Sequence, residues 1–145
     1  MVRVFLGGTC NGSTWRNQLI PMLKIDYFNP VVEDWTEKHM IEERLQREAC
    51  DYCLYVITPA MKGVFSVAEA VEDSVKRPQK TIFCTLSVDT RFNAETQTYQ
   101  ILNFDKEQLY SLRQVSEMIQ RNGGQVFDSL SDIAVYLNKS KEERA

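Results

Sequence analysis

The chain has 145 residues, of which 43% are hydrophobic and 26% are charged, and its formal net charge is -3. These values are typical of one globular domain, and the acidic balance argues against a nucleic-acid groove, which needs clustered Lys and Arg. No apolar run is long enough to span a bilayer, and the opening residues MVRVFLGG are too short for a signal peptide, so we expect a cytoplasmic protein without membrane partners.

The first half of the chain alternates short apolar runs with segments of helical spacing. In chain order these are a strand in VRVFLGG, a helix in STWRNQLIPML, a strand in DYFNPVV, a helix in DWTEKHMIEERLQREACD and a strand in YCLYVIT. The second helix is amphipathic, with Ile41, Leu45 and Ala49 on its apolar face and charges elsewhere. The third strand is apolar on both faces, as parallel strands covered by helices are.

The second half continues the alternation. In chain order it contains a helix in GVFSVAEAVEDS, a strand in KTIFCTLS, a helix in DKEQLYSLRQVSEMIQRNGG, a strand in QVFDS and a helix in LSDIAVYLN. Residues 87–103 show no clear period, and we expect an irregular excursion there with a short strand at TYQIL. The pattern predicts one doubly wound α/β domain over residues 1–138, with a mainly parallel sheet of about five strands and helices on both faces. The charged residues 139–145 predict a frayed tail.

The cysteine pattern points to structural thiols. Cys50 and Cys53 form a C-x-x-C, which is a spacing found in zinc and redox sites. The chain has no second pair of this kind, and its only histidine is His39. Cys53 also falls inside a predicted strand, where a buried thiol is ordinary. We therefore expect four reduced cysteines, with no metal and no cofactor.

Four predicted loops meet at the edge where ligands bind in open α/β sheets, beyond the carboxyl ends of the strands. They are GGTCNGSTW, NPVVEDW, TPAMKGVFSVAE and LSVDTRF. The first loop can offer backbone N–H groups to an anion or a sugar, although it is neither a dinucleotide fingerprint nor a P-loop and a simple turn explains it equally well. Trp15 and Trp35 could stack on a planar ligand, and core packing is the ordinary alternative for both.

The acidic residues near this edge differ in position. Asp51 precedes the third strand, which is the wrong end for catalysis and favours a structural role. Glu33 and Asp34 lie at the correct end, where solvated acids that begin a helix are the ordinary interpretation. Glu69 follows the central strand, one helical turn beyond Ser66 and among apolar neighbours. It is either a charge that complements a helix N-terminus or a partly desolvated nucleophile or base, and spacing alone does not decide.

Three segments together, VFLGGTCNGSTWRNQLIPML, YFNPVVEDW and DYCLYVITPAMKGVFSVAEAVEDSVKRPQKTIF, resemble the nucleoside 2-deoxyribosyltransferase-like family. The resemblance extends over about the first 85 residues. It implies a flavodoxin-like (Rossmann-like) fold that acts on the N-glycosidic bond of nucleosides or nucleotides. It also implies a homo-oligomer, a dimer or larger, in which a neighbouring subunit completes the pocket.

The resemblance also implies roles for individual residues. By position, Glu69 matches the nucleophile that attacks the sugar C1′, and Asp51 matches an aspartate that opens the third strand, which we take as a second catalytic residue. A second base, or water in related hydrolases, then accepts the sugar. The expected substrate-binding residues are Gly7, Gly8, Asn11, Trp15, Asn29, Gly63 and Ser66. Arg16 and Lys62 are the candidate partners of a 5′-phosphate.

Two positions depart from the family pattern. Family transferases carry a tyrosine or a similar polar aromatic residue near the end of the first strand, where this chain has Phe5 and Leu6. They also carry Asp or Ser six residues before the nucleophile, where this chain has Gly63, so Ser66 or Asp89 would have to supply the leaving-group acid. The alternative to an enzyme is therefore a non-catalytic module that binds a nucleotide or a nucleotide-derived signal in the same pocket.

Overall fold

Strands and helices alternate along the chain in the computed structural model, which describes residues 1–143. In chain order the elements are β1 (Arg3–Gly8), α1 (Trp15–Leu19), β2 (Asp26–Phe28), α2 (Glu37–Ala49), β3 (Tyr52–Ile57), α3 (Phe65–Lys76), β4 (Thr81–Thr85), β5 (Val88–Asn93), β6 (Thr98–Asn103), α4 (Lys106–Arg121), β7 (Gln125–Phe127) and α5 (Leu130–Glu143). None of the helices within residues 1–143 is long and apolar enough to cross a membrane.

Five of the strands form one parallel sheet in the spatial order β2-β1-β3-β4-β7. The chain moves outward from β1 to β2, then crosses back over β1 to place β3 on its other side. This reversal of direction is the topological switch point of flavodoxin-like sheets. The predicted doubly wound parallel sheet is therefore confirmed.

Helices cover both faces of this sheet and close two separate cores. On one face, α1 and α5 bury Trp15, Leu19 and Leu137 against the strands. On the other face, α3 and α4 bury Ala70 and Ile119. Full burial of each large apolar side chain contributes about 1.5–3 kcal/mol, so the two cores fix the sheet that positions the loops.

Residues 87–103 form a β-hairpin, and the expectation of an irregular excursion is wrong. β5 pairs antiparallel with β6 over its whole length, and the two strands form a sheet of their own. The strand expected at TYQIL exists as part of β6. Its partner β5 was missed because the polar residues of VDTRFN interrupt the apolar alternation. The rings of Phe92 and Tyr99 lie 5.2 Å apart across the hairpin and stabilise the pairing.

The amphipathic pattern of α2 predicted the helix but not the face that it buries. Ile41 and Leu45 are 50% and 55% exposed, whereas Arg47 is buried. Arg47 is turned inward because it forms ion pairs with acidic side chains of α3. The sequence of α2 alone does not reveal these partners, because they lie on another element.

The predicted tail begins at residue 139, whereas α5 continues to Glu143. The last two residues of the predicted tail, 144 and 145, lie outside the described residues.

Candidate functional site

The candidate site lies beyond the carboxyl ends of β1 and β3, where the strand order reverses. Three adjoining cavities of about 420, 170 and 130 Å³ occupy this position. Cys10 and Ser66 line all three, so we treat the cavities as one space and call it the switch-point cleft. Open α/β sheets bind their ligands at this point because the connections from neighbouring strands run to opposite faces of the sheet and leave a crevice between them.

Paired glycines let the end of β1 lie directly against β3. A Cβ on Gly7 would lie 2.7 Å from the ring of Tyr55, and a Cβ on Gly8 would lie 2.1 Å from the carbonyl oxygen of Val56. Gly8 also has a φ of +117°, which side-chain-bearing residues rarely adopt. Both glycines line the cleft, so the close approach of the two strands shapes its floor.

The side chains of Trp15 and Arg16 hold the loop after β1 in place through hydrogen bonds to its backbone. Trp15 is fully buried, and its indole N–H donates to the carbonyl oxygen of Thr9 at 2.8 Å. The Arg16 guanidinium donates to the carbonyl oxygens of Leu6, Gly8 and Thr9 at 3.0, 3.3 and 2.7 Å. Each guanidinium nitrogen of Arg16 therefore contacts the backbone, and the buried indole of Trp15 presents no surface on which a ligand can stack.

Glu69 lines the 420 Å³ cavity of the cleft, and only 7% of the residue is exposed. Because α3 begins at Phe65, Glu69 is its fifth residue, and the first turn of the helix contains no acidic residue. The attraction between a charge and a helix N-terminus falls off within the first turn, so this attraction does not explain the position of Glu69. Its Oε2 instead lies 3.2 Å from Nη1 of Arg47.

Arg47 is held in place by a deeper acid, Asp73, which lies one helical turn after Glu69 and is fully buried. Asp73 accepts from Nε and Nη2 of Arg47 at 3.2 and 2.9 Å, from Arg77 at 3.0 Å and from the hydroxyl of Tyr55. Burial lowers the pKa of Arg47, but its hydrogen bonds to Asp73 and the nearby negative charges outweigh this effect, and the net pKa lies above the ordinary value. Arg47 therefore remains a cation beside Glu69.

Glu43, from α2, forms a carboxyl pair with Glu69. Both line the 420 Å³ cavity, where their carboxyl groups are close enough to interact. Burial, followed by the charge of Glu43, raises the pKa of Glu69 to about 8, and burial also raises the pKa of Glu43. Two like charges in contact do not both ionise readily, so the pair holds one proton near neutral pH.

The structure brings most of the sequence-predicted site residues together. Those that line the cleft are Gly7, Gly8, Asn11, Gly63, Ser66 and Glu69. Asn29 is adjacent to the lining residue Pro30, and its side chain accepts from the N–H of Val31 at 3.1 Å. Asp51 is not brought to Glu69, because it precedes the amino end of β3, where its Oδ2 accepts from the N–H of Arg3 at 2.9 Å.

The two candidate leaving-group acids occupy different surroundings. Asp89 is buried and accepts from the hydroxyls of Ser13 and Thr58 at 2.5 Å each, and from the N–H of Thr90 at 2.7 Å. These contacts tie β5 to the loops after β1 and β3, so Asp89 acts as an anchor of the hairpin. Ser66 remains in the cleft as a hydroxyl.

Glu43, Arg44 and Arg47 were not predicted as site residues, although all three line the 420 Å³ cavity. They lie on α2, which was interpreted only as an amphipathic helix with its charges away from the apolar face. The spacing of Glu43 and Arg47, one helical turn apart, is the signal that places both on one side of the helix. Trp35, which precedes α2 and is 54% exposed, also lines the cleft, unlike Trp15.

Three of the four cysteines have the features of structural thiols, whereas Cys10 is exposed and lines the cleft. All four are free, and three of them are buried. Burial raises the pKa of Cys53 to about 12, which keeps this member of the C-x-x-C protonated. Among residues 1–143, no group of three or more His, Cys, Asp or Glu side chains is arranged to hold a metal ion.

A larger cavity of about 710 Å³ lies beside β7 and the end of β4, lined by Arg113, Asp128 and Asp132 among others. None of the sequence-predicted site residues lines it. The switch-point cleft is the better candidate because it contains the buried carboxyl group of Glu69, with the half-buried Glu43 and the guanidinium of Arg47 beside it, and acids with raised pKa values in a cleft are typical of functional sites.

Comparison with known proteins gives one family. A family model described as nucleoside 2-deoxyribosyltransferase like matches residues 1–87, which is more than half of the chain. The matched range runs from β1 to just beyond β4 and includes every residue that lines the switch-point cleft. No curated protein matches the chain. The extent of the family match shows that the chain belongs to the nucleoside 2-deoxyribosyltransferase-like family.

Proposed function

We propose that the protein cleaves the N-glycosidic bond of deoxynucleosides, nucleosides or their 5′-monophosphates and transfers the sugar to another base or to water. Membership of the family suggests glycosyl transfer on nucleosides. The observation that carries the proposal is the buried carboxylate of Glu69, which faces the switch-point cleft and is paired with Arg47 at 3.2 Å.

Glu69 acts as the nucleophile in two successive displacements. Its carboxylate oxygen attacks C1′ as the bond to the base nitrogen breaks, through an oxocarbenium-like transition state. A second base or water then attacks C1′ and releases Glu69. Arg47 keeps the Glu69 carboxylate oriented towards the cleft, and Asp73 in turn fixes Arg47.

Aromatic side chains give the cleft a surface for a nucleobase. Phe65, which is 72% exposed, and Trp35 both line the 420 Å³ cavity that contains Glu69. Flat aromatic faces stack on planar rings, and this contact orients the base relative to C1′. The loop of small residues after β1 offers its backbone to the polar parts of the substrate.

Arg44 replaces Arg16 as the candidate partner of a 5′-phosphate. Arg44 lines the same cavity as Glu69, whereas Arg16 lines the 130 Å³ cavity and donates three hydrogen bonds to the backbone of the β1 loop. Lys62 does not line any of the three cavities of the cleft. A guanidinium group binds phosphate through two parallel hydrogen bonds, so Arg44 favours monophosphates over free nucleosides.

We further propose that the protein is cytoplasmic and forms a homo-oligomer. Apolar side chains of α2 and of the start of α3 are exposed, including Ile41, Leu45 and Phe65, and exposed apolar groups of this kind are typical of a protein interface. A second copy of the chain would cover them and extend the wall of the cleft. The free thiols fit a reducing compartment.

Base release tests the proposed function. The wild-type protein and Glu69→Gln are incubated with deoxynucleosides, ribonucleosides and their 5′-monophosphates, with and without a second free base, and the products are separated by chromatography. We expect base release by the wild type only, and the dependence on the acceptor base separates transfer from hydrolysis. Saturable binding without release would instead support the alternative, a non-catalytic nucleotide-binding module.

A further inference from the structure

The 170 Å³ cavity of the cleft lies between the loop after β1 and the loop after β3. Thr9, Cys10 and Asn11 of the first loop line this cavity together with Met61 and Gly63 of the second loop. Loops are the more mobile parts of a fold, so the width of such a cavity depends on what joins them. The contacts between these two loops therefore decide whether a ligand fits.

We propose that Asp89 of the hairpin is a positioning residue, which holds the loops after β1 and β3 at the separation that ligand binding requires. This inference deepens the proposed function and rests on it, because the ligand is the same nucleoside or nucleotide. Its basis is one carboxylate oxygen that joins the two loops. The family match ends at residue 87, so the hairpin strands lie beyond the part of the chain that shows family membership.

One oxygen of Asp89 accepts a hydrogen bond from each loop. Ser13, in the loop after β1, and Thr58, at the start of the loop after β3, both donate their hydroxyls to Oδ2 at 2.5 Å. The other oxygen, Oδ1, accepts from the N–H of Thr90 at 2.7 Å and so orients the carboxyl group. Asp89 is only 5% exposed, and these hydrogen bonds replace the water that a carboxylate otherwise binds. Hydrogen bonds to a carboxylate are about twice as strong as those between neutral groups.

The rest of β5 supports Asp89 along the loop after β1. Ser13 and Arg91 form an antiparallel bridge, and the hydroxyl oxygens of Thr14 and Thr90 lie 3.0 Å apart. Strand β5 is itself paired with β6 over its whole length. These contacts fix the hairpin against the first loop, so the hydrogen bond from Thr58 to Asp89 fixes the second loop relative to the first.

The loop after β1 needs this support because its turn has an uncommon backbone conformation. Asn11 and Gly12 have φ values of +54° and +77°, and the N–H of Ser13 closes the turn with a hydrogen bond of 3.0 Å. A left-handed conformation is unfavourable for a residue with a side chain and persists where the surrounding structure holds it. Because Asp89 binds the hydroxyl of Ser13, it holds the end of the turn that places Asn11 in the cavity wall.

Asp89 acts on ligand binding rather than on the chemical step. Glu69 is held by Arg47 of α2, and Arg47 is held by Asp73 of α3. The loops after β1 and β3 are joined by a different set of contacts, which involves the hairpin. Loss of the Asp89 carboxylate should therefore weaken binding and leave the orientation of Glu69 as it is.

Steady-state kinetics of Asp89→Ala separate this role from a merely structural one. We expect KM to rise at least about 10-fold, as for the loss of a hydrogen bond to a charged group, and kcat to stay within about 3-fold of wild type. A loss of stability alone lowers the fraction of folded protein, which lowers the apparent kcat and leaves KM unchanged. Asp89→Asn keeps an oxygen that can accept from both hydroxyls, so it should recover most of the lost affinity.

Asp105→Ala is the matched control for a loss of stability. The side chain of Asp105 accepts from the N–H of Gln108 at 2.8 Å and caps α4, and no residue of α4 lines the three cavities of the cleft. Removal of this cap should lower the melting temperature of the protein and leave KM at the wild-type value. A rise in KM for Asp105→Ala equal to that for Asp89→Ala would overturn the proposal.

The two halves of the connection can be tested separately. Ser13→Ala and Thr58→Val each remove one hydroxyl, and either change breaks the connection between the loops. The double variant should therefore raise KM no more than about 2-fold above the larger single effect, because residues that act through one group are not additive. An increase equal to the product of the two single increases would show that each loop is held separately, and would overturn the proposal. These variants also carry the test where Asp89→Ala does not fold.

Binding measured without turnover keeps this test distinct from the test of the proposed function. Isothermal titration calorimetry with deoxynucleosides and their 5′-monophosphates gives Kd for the wild type, for Glu69→Gln and for Glu69→Gln combined with Asp89→Ala. We expect the combined variant to bind at least about 10-fold more weakly than Glu69→Gln.

The outcomes are distinguishable. Equal Kd values for these two variants would overturn the role of Asp89 and leave the proposed function in place. A wild type that binds these compounds but releases no base would overturn the proposed reaction, while the two Kd values still decide the role of Asp89. A wild type that neither binds any of them nor releases base would overturn both.

Discussion

We predict that Glu69 lowers the free energy of unfolding at neutral and alkaline pH, because it is buried in the cleft beside a second carboxyl group. The pKa of Glu69 is raised from 4.5 to about 8 by burial and by Glu43, so the folded protein binds a proton there that the unfolded chain releases. Stability linked to this group is fully present below pH 4.5 and is lost as the pH rises towards about 8. Glu69→Gln keeps the shape of the side chain and removes this dependence.

The magnitude follows from the size of the shift. A difference between 4.5 and about 8 corresponds to at most roughly 5 kcal/mol, since each pKa unit is worth about 1.4 kcal/mol. Because the carboxyl group lines a water-accessible cleft, screening reduces the expected gain in the free energy of unfolding to about 1–2 kcal/mol at pH 8. Arg47 retains Asp73 and Glu72 after the substitution, so no buried charge is left without a partner.

Urea unfolding of the wild type and Glu69→Gln at pH 5 and pH 8 tests this prediction. We expect the variant to be the more stable protein at pH 8, with a clearly smaller difference at pH 5. Glu72→Gln is the matched control, because Glu72 also contacts Arg47 but is half exposed, and it should not reproduce the gain in stability at pH 8. A Glu69→Gln protein that is less stable than wild type at pH 8, or equally affected at both pH values, would refute the reasoning.

Three further substitutions test residues that hold or line the cleft. Asp73→Asn should lower the free energy of unfolding by about 3–5 kcal/mol, because it leaves Arg47 and Arg77 without their buried carboxylate partner. A loss below about 1 kcal/mol in urea unfolding would contradict the buried network. Gly8→Ala should lower the free energy of unfolding by more than about 2 kcal/mol in the same assay, because the added Cβ would lie 2.1 Å from the carbonyl oxygen of Val56. A neutral effect would contradict the close approach of β1 to β3. Arg44→Ala should raise KM about 10-fold for 5′-monophosphates and leave KM for nucleosides unchanged. Initial-rate measurements on each nucleoside and its 5′-monophosphate check this, and an equal effect on both would exclude a phosphate contact.

The parts of the fold that could be predicted from sequence are those with local signals. Apolar runs stopped by turn residues located all five strands of the parallel sheet, and the rule that ligands bind beyond strand ends directed attention to the loops after β1 and β3. Glu69 was singled out as the first carboxylate after the central strand, and the resemblance to the family, not its spacing, gave it the role of nucleophile. The paired glycines were found because such a loop stands out in composition.

The parts that could not be predicted depend on contacts between distant segments. Arg47 is buried only because Asp73 and Glu69 of α3 lie opposite it, so its position on α2 gave the appearance of a solvated charge. Glu43 is in the cleft for the same reason, because it lies one helical turn before Arg47 and the ion pairs of Arg47 with α3 turn this side of α2 inward. Strand β5 was missed because its stabilising partners, such as Tyr99, lie on the neighbouring strand.

The most direct test of the central claim is a search for the glycosyl-enzyme. The wild type and Glu69→Gln are mixed with a deoxynucleoside, quenched in acid within milliseconds to seconds and analysed by intact-protein and peptide mass spectrometry. We expect the wild type to gain the mass of one deoxyribosyl group, located at Glu69, as base is released, and the variant to gain none. Base release with no adduct at any time, or release that continues unchanged in Glu69→Gln, would contradict the account.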